Sequence, residues 1–212
     1  MKYDVNDIQK NPWLIEKIDS PSEELCILCV KKAWNTLKLI NNPTKQVIES
    51  AVKAKGWAIQ YIENPSEDIQ IEALKTDWDS IRYIKKPSYK VMMKAVELNW
   101  EAIKYMDNAP FEIKRIAAKK NEEAVMYIGN MSEEEKIELV KSNVRVLKYI
   151  KFENQDMLKS ILCDKLASDE INREYIVDFL ETSAINIDKI KFIHKYGSKK
   201  AKMYTVDYKL SM

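Results

Sequence analysis

The chain has 212 residues, a net charge of +2, three glycines and six prolines. Near-neutral charge gives no overall attraction to nucleic acid or acidic membranes, and so few glycines and prolines argue against a turn-rich β fold. No apolar run approaches the roughly 20 residues that cross a bilayer, and the first residues, MKYDVNDIQKNPW, lack the apolar segment of a secretory signal. Three cysteines, an odd number, argue against a disulfide framework, so we expect a cytoplasmic protein.

A period of 22 residues runs through most of the chain. Tyrosine recurs at this spacing: Tyr61, Tyr83, Tyr105, Tyr127 and Tyr149. The residue that follows each tyrosine belongs to a largely isoleucine column, which serves below as the reference position: Ile18, Ile40, Ile62, Ile84, Met106, Ile128 and Ile150. A fixed period of this length is typical of helical repeat arrays.

Each repeat predicts two short helices. Apolar or small residues three and four positions before the reference place one face of a first helix in the core. Four residues after the reference, a hydroxyl side chain is placed to cap a second helix: Ser22, Thr44, Ser66, Ser88 and Ser132. Ser132 and Glu135 have the spacing of a capping box. The second helix should end near Asp77, Asn99, Asn121 and Asn143, each suited to cap the next first helix.

The repeat unit resembles a loosely characterised class of short helical-repeat proteins in bacteria and their phages. The segments IENPSEDIQIEALKTDWDSIRYIKKPS and NWEAIKYMDNAPFEI carry the resemblance, which covers roughly residues 12–152. The resemblance implies an architecture and no catalytic motif. Small phage proteins of this kind often act by binding a host protein, so it also implies a host factor, such as a defence protein, as the target of an inhibitor.

The period fails from about Glu153, where longer helices are predicted. An atypical terminal segment is what closes the exposed end of a repeat array. We therefore predict an all-α fold, an α-solenoid of about seven two-helix repeats over residues 1–152, with a C-terminal helical cap over residues 153–212.

Motifs for chemistry are scarce. Cys26-Ile27-Leu28-Cys29 has CxxC spacing, but it falls inside a predicted helix, and Cys29 occupies a column filled elsewhere by alanine. Because there is no second CxxC and His194 is the only histidine, packed structural thiols are favoured over a zinc or redox site. We expect no metal, no cofactor and no catalysis. An enzyme without a recognisable motif stays open as the third interpretation.

One candidate binding surface is a basic column. About 100° of rotation per residue turns the positions two and five residues before the reference toward solvent. The first of these columns reads Glu16, Lys38, Gln60, Arg82, Lys104, Met126 and Lys148. The second column, which includes Asp79 and Glu101, should partly cancel its charge. The column either binds a partner or simply keeps an exposed face soluble.

Tryptophan and the C-terminal tail supply the remaining candidates. Trp57 is displaced by one residue from the tryptophan column, with Gly56 in the expected place. It either lines a partner-binding groove with Lys38 and Arg82 or packs into the core. The partner-binding candidates are therefore Lys38, Trp57, Gln60, Arg82, Lys104 and Lys148. The basic run near the C-terminus offers an alternative nucleic-acid site: Lys195, Lys199, Lys200 and Lys202.

These patterns favour a non-catalytic protein that binds a protein partner through its extended surface. Binding of RNA or DNA along the basic column and tail is the main alternative. The partner's identity, the face that binds, the curvature and the oligomeric state stay open at this stage.

Overall fold

Helices form from the repeat pattern throughout the part of the chain that the computed structural model describes, residues 3–211. About 71% of the structure is helical, and these residues form no β-strand. The predicted fold class, an α-solenoid of short two-helix repeats, is confirmed. Its helices divide between two compact units, Met1–Met106 and Asp107–Met212. The sequence boundary at 152/153 lies within the second unit and stays a prediction.

In the first unit, short α-helices alternate with six-residue 3₁₀ helices, labelled η. The order is α1 (Val5–Lys10), η1 (Pro12–Lys17), α2 (Glu23–Lys32), η2 (Trp34–Leu39), α3 (Lys45–Ala54), η3 (Gly56–Tyr61), α4 (Glu67–Thr76), η4 (Trp78–Tyr83), α5 (Tyr89–Leu98) and η5 (Trp100–Tyr105). Consecutive α-helices pack against each other, as do consecutive 3₁₀ helices. No helix of this length is stable alone in water, so stacking on neighbours stabilises each one.

The second unit begins with the same alternation and then changes to longer helices. Its order is α6 (Phe111–Lys120), η6 (Glu122–Tyr127), α7 (Glu133–Ser142), η7 (Val144–Lys148), α8 (Gln155–Ala167), α9 (Arg173–Glu181), α10 (Lys189–Tyr196) and α11 (Lys199–Leu210). The last two helices pack against each other and against α9. Within residues 3–211, no helix combines the length and apolarity that crossing a membrane needs.

The first helix of each repeat is a 3₁₀ helix, whereas the spacing in the sequence predicts α-helical rotation. In a 3₁₀ helix, residues three apart lie one above the other. The reference residue and the residue three before it therefore share one inward face, as do Ile81 in η4 and Ile84 directly after η4. The residue four before the reference lies on a second inward face, where Ala58, Ser80 and Ala102 are fully buried. Positions two and five before the reference share the remaining, outward face.

The predicted caps are confirmed with one exception. All five hydroxyl residues accept from the backbone three residues on, and Ser132 and Glu135 form the capping box. Asn99, Asn121 and Asn143 each cap the following 3₁₀ helix. Asp77 does not: its Oδ2 accepts from the backbone N–H of Gly56 at 2.6 Å, one repeat earlier, and its Oδ1 accepts from Lys55. The Asp77 carboxylate, which the sequence predicts to cap the helix that follows it, instead links two repeats.

A buried phenol in the second unit gives stability a dependence on alkaline pH. Tyr175 on α9 is buried and donates from its hydroxyl to the carbonyl oxygen of Val140 at 3.0 Å. Burial raises the pKa of Tyr175 well above its ordinary value of about 10. Above about pH 10 the unfolded chain therefore loses this proton while the folded chain keeps it, so the free energy of unfolding falls as pH rises.

We expect urea midpoints of the wild type to fall more steeply between about pH 9 and 11 than those of Tyr175→Phe, which lacks this proton. The phenylalanine variant should also lose about 1 kcal/mol at neutral pH with its hydrogen bond. Tyr149→Phe, at an exposed site, is the matched control and should keep the wild-type slope. If the urea midpoints of the wild type and of Tyr175→Phe fell equally with pH, the lost stability would not come from deprotonation of Tyr175.

Candidate partner-binding surface

Trp57 lies at the centre of a cluster on the outward face of η3 and η4. Its indole Nε1 donates to Asp79 Oδ1 at 2.7 Å, and its ring meets that of Tyr83 edge-on at 6.1 Å between centroids. Lys55 and Arg82 stand over the ring, with Lys55 Nζ 4.9 Å and Arg82 Cζ 5.8 Å from the centroid. Trp57 is half-buried. Trp57 therefore packs between two repeats and also leaves part of its ring exposed to solvent. The two alternatives predicted from the sequence, packing and partner binding, are compatible with each other.

Arg82 links this cluster to the next repeat. Its Nη2 donates to the hydroxyl of Tyr105, and its guanidinium stands 4.8 Å from the centroid of that ring. Asp79 Oδ2 lies 3.7 Å from the same nitrogen. The hydrogen bond to Tyr105 is the main cause that raises the pKa of Arg82, with the charge of Asp79 adding to it. Arg82 is thus a fixed cation between two aromatic rings.

The other predicted residues of the first unit take different positions. Gln60 is exposed, and its Nε2 donates to the carbonyl oxygen of Trp57 at 2.9 Å, so it belongs to the cluster. Lys38 stands over Trp13 at 5.4 Å, so its aromatic contact is with that ring and not with Trp57. Lys104 pairs with Glu101 at 3.0 Å and stands over Trp100. The structure therefore joins Trp57, Gln60 and Arg82 by direct contacts.

Positive and negative side chains are balanced on the outward side of the 3₁₀ helices η1–η5. We call the outward side of η1–η5, formed by the positions two and five residues before the reference, the 3₁₀ face. It carries three cations and three carboxylates: Lys38, Arg82, Lys104, Glu16, Asp79 and Glu101. Because positions three apart eclipse in a 3₁₀ helix, Asp79 lies beside Arg82 and Glu101 beside Lys104, as the predicted cancellation requires. The face is not an unbroken basic stripe.

Lys148 lies in the second unit and belongs to a separate ionic network. Its Nζ is 2.8 Å from Glu122 Oε1, which also pairs with Arg145 at 3.2 Å. Arg145 reaches Asp178 at 3.4 Å. Burial raises the pKa of Asp178, while Arg145 opposes this shift. This candidate cation is therefore already paired inside the protein.

The basic run near the C-terminus is helical and not an extended arm. Lys195 lies in the last turn of α10, and Lys199, Lys200 and Lys202 lie in the first turns of α11. Lys200 donates to the carbonyl oxygen of Asp169 at 3.3 Å. The neighbouring rings Tyr196 and Tyr204 are half-buried, so neither stands free for base stacking in the way that single-strand binding uses.

A groove lies beside the cluster in the first unit. It has a volume of about 700 Å³ and runs between two successive loops, one containing Ile62 to Pro65 and the other Ile84 to Lys86. Tyr61 and Tyr83 contribute to its walls and Gln70 on α4 contributes to its lining. Gln60 lines it as well, so the groove adjoins the 3₁₀ face. Asn64 bends the first loop with a left-handed φ of 50°, which asparagine tolerates better than most residues.

The cysteines of the CxxC segment are packed in α2. Cys26 and Cys29 are buried. Burial raises the pKa of both thiols, that of Cys29 to about 11, so they are protonated at neutral pH and are poor nucleophiles and ligands. Among residues 3–211, no group of three or more His, Cys, Asp or Glu side chains is arranged to hold a metal ion.

Several members of the cluster were missed in the sequence: Lys55, Asp77, Tyr83 and Tyr105. Their contacts span one repeat, since Lys55 meets Asp77, Trp57 meets Asp79, and Arg82 meets Tyr105. Pairing complementary side chains 22 or 23 residues apart would have found Lys55, Asp77 and Tyr105, but not Tyr83, whose ring meets that of Trp57 from 26 residues away. Glu67 with Lys90, at 2.9 Å, follows the same offset.

Comparison of the chain with protein-family models, with curated proteins and with solved structures found no match. The resemblance of the repeat unit to helical-repeat proteins of bacteria and phages therefore stays a prediction.

Proposed function

We propose that this protein binds another protein, without catalysis or cofactor, through the 3₁₀ face of its first unit. The observation that carries the proposal is the cluster of Trp57, Arg82 and Tyr105. Tryptophan, tyrosine and arginine are the residues that most often dominate binding energy at protein interfaces. Tyr105 is 38% exposed, Arg82 is exposed and Trp57 half-exposed, so all three are accessible to a partner.

The cluster is also held in place before any partner arrives. Trp57 is fixed by its bond to Asp79 and Arg82 by its bond to Tyr105, each across a repeat boundary. Side chains already ordered in the free protein lose less conformational entropy on binding. The balanced charge of the 3₁₀ face favours a protein over a phosphate backbone, which is generally bound by a continuous basic surface. The resemblance of the repeats extends the proposal to a host protein as the partner, with the chain acting as a phage-encoded inhibitor.

The test is affinity capture from bacterial lysate with and without nuclease, using wild type, Arg82→Ala and Trp57→Ala. We expect one nuclease-resistant protein whose affinity falls about 30-fold in either variant, the loss typical of a residue that dominates an interface. Lys53→Ala, an exposed lysine on α3 away from this face, is the matched control and should bind as wild type.

Salt dependence separates the alternatives. A partner held by the aromatic cluster should lose little affinity between low and physiological salt, whereas binding to phosphates falls steeply and linearly on a log–log plot. Recovery of nucleic acid, or loss of every partner after nuclease treatment, would replace this proposal with nucleic-acid binding. A captured protein that ignores both Arg82→Ala and Trp57→Ala would place binding elsewhere on the chain.

A further inference from the structure

The outer side of α11, in the second unit, carries a row of exposed apolar side chains. Met203, Val206 and Leu210 are 52%, 57% and 83% exposed. Residues three and seven apart lie on one side of an α-helix, so these three side chains form a single row. Ala201 and Thr205 are the buried residues of α11 and lie on its opposite side. The last element of a repeat array normally has a polar outer face, so the apolar row is not needed to close the fold.

The spacing of the row is that of a coiled-coil seam. Met203 and Leu210 are one heptad apart and Val206 lies between them, which are the a, a and d positions of a heptad. Lys202 and Lys209, directly before Met203 and Leu210, take the flanking g positions. The row is one side chain wide, as in a helix–helix seam, whereas a helix that lies on a membrane buries a broader face of large apolar side chains. The row therefore matches a second helix.

Lysines surround the row without compensating carboxylates. α11 contains four lysines and, as its one acidic residue, Asp207. Lys199, Lys202 and Lys209 are exposed, and none of them forms an ion pair with any residue among 3–211. α11 thus carries three positive charges in excess on a chain whose net charge is only +2. On other helices, lysines pair with a carboxylate three or four residues away: Lys45 with Glu49, Lys75 with Glu72 and Lys94 with Glu97.

We propose that the outer side of α11 binds an acidic amphipathic helix of a partner protein. The apolar side of that helix packs against Met203, Val206 and Leu210, and carboxylates beside it pair with Lys202 and Lys209. Charged flanks of opposite sign set the choice of partner in coiled coils. A second copy of this chain is disfavoured, because its α11 would bring eight lysines and two aspartates into one interface. The inference concerns a surface of the second unit and goes beyond the proposed function of the 3₁₀ face.

The probe is a displayed library of helical peptides of about three heptads, with leucine in the apolar row and Glu, Gln or Lys allowed at the flanking positions. Selection on the full chain should enrich Glu at these positions. Fluorescence anisotropy with a synthetic, labelled winner should then show affinity that falls at least about tenfold in Met203→Ser/Leu210→Ser and several-fold in Lys202→Gln/Lys209→Gln. All four side chains are exposed, so the thermal midpoint of these variants should change little.

Two matched controls remove similar side chains elsewhere. Leu98→Ser removes an exposed leucine of α5, and Lys31→Gln/Lys32→Gln removes an exposed lysine pair of α2. Both variants should bind the peptide as wild type does.

Reversing the charge of the flanks tests specificity directly. Lys202→Glu/Lys209→Glu should lose the glutamate-flanked peptide and should select lysine-flanked helices from the same library. Such an exchange would not occur if these lysines only kept an exposed helix soluble.

Several outcomes would overturn the inference. Equal recovery of Glu, Gln and Lys at the flanks, or a peptide that binds Met203→Ser/Leu210→Ser as tightly as wild type, would remove α11 as its site. A dimer in analytical ultracentrifugation that dissociates in the same variant would show that α11 binds a second copy. If vesicles of phosphatidylcholine and phosphatidylglycerol, or single-stranded DNA, bound to α11 in place of the peptide, the lysines would serve lipid or nucleic acid.

The proposed function is tested separately. Arg82→Ala and Trp57→Ala change the 3₁₀ face of the first unit and should leave peptide binding to α11 unchanged. A captured protein that depends on Arg82 would keep the 3₁₀ face as a binding surface even if no peptide bound to α11.

Discussion

Gly56→Ala lowers the free energy of unfolding by about 3 kcal/mol, the upper part of the range for overpacked sites. A Cβ at this position would lie 2.3 Å from the carbonyl oxygen of Ala73 and 2.5 Å from Ser80 Oγ. The first of these atoms is backbone in α4 and cannot move without shifting the helix. Gly56→Trp, which restores the residue of three other repeats, should destabilise still more, although replacing an atypical residue by the repeat consensus commonly stabilises a protein.

Urea denaturation followed by tryptophan fluorescence measures this change, because all five tryptophans lie between residues 13 and 100 in the first unit. Gly129→Asn is the control, and its unfolding is followed by far-UV circular dichroism because Gly129 lies in the second unit. Gly129 has a left-handed φ of 75°, and its Cβ would meet no atom within 4 Å, so asparagine should cost only a few tenths of a kcal/mol. If the urea midpoint of Gly56→Ala equalled that of the wild type, α4 would have shifted to accommodate the added methyl group. The close contact between residue 56 and Ala73 would then not require glycine.

Phe179→Ala is expected to remove about 3–5 kcal/mol from the stability of the second unit. Phe179 on α9 is fully buried, and its ring lies 6.1 Å from that of Phe192, which in turn lies 4.8 Å from Tyr196. Truncation removes apolar burial and leaves a cavity that the surrounding helices α10 and α11 cannot fill without losing their own contacts. Far-UV circular dichroism during urea unfolding measures the loss.

The matched control for Phe179→Ala is Val206→Ala on α11. Val206 is 57% exposed, and alanine favours an exposed helix more than valine does, so the change should stay within about 0.5 kcal/mol. A loss below about 1 kcal/mol for Phe179→Ala would show that α9 to α11 repack around the smaller side chain, which the close-packed arrangement argues against.

Much of the fold follows from local patterns in the sequence. The 22-residue period predicts the repeats, and Ser22, Thr44 and Ser66 predict helix starts because a hydroxyl acts on backbone N–H groups within its own turn. The sequence did not predict that the first helix of each repeat would be a 3₁₀ helix and not an α-helix. Apolar residues three and four apart fit both helix types over six residues, and packing against the neighbouring repeat selects between them.

The candidate site was predictable in part. Exposure of Lys38, Gln60 and Arg82 follows from helix periodicity, and their positions on an outward face are observed. The contacts that organise the site were not predictable from a single repeat. Trp57 bonds to Asp79 and Arg82 to Tyr105, each in the next repeat, while Lys38 stands over Trp13 in the preceding one.

The sequence by itself determined the period, the all-α class, the capping residues and the outward columns, because each depends on interactions within a few residues of chain. The tertiary structure decided what Asp77 binds, why residue 56 is glycine, and that Gln70 Oε1 has no hydrogen-bond partner among residues 3–211. These features depend on the distance between atoms of adjacent repeats. That distance is set by how two helical surfaces pack, and side-chain spacing along the chain does not encode it directly.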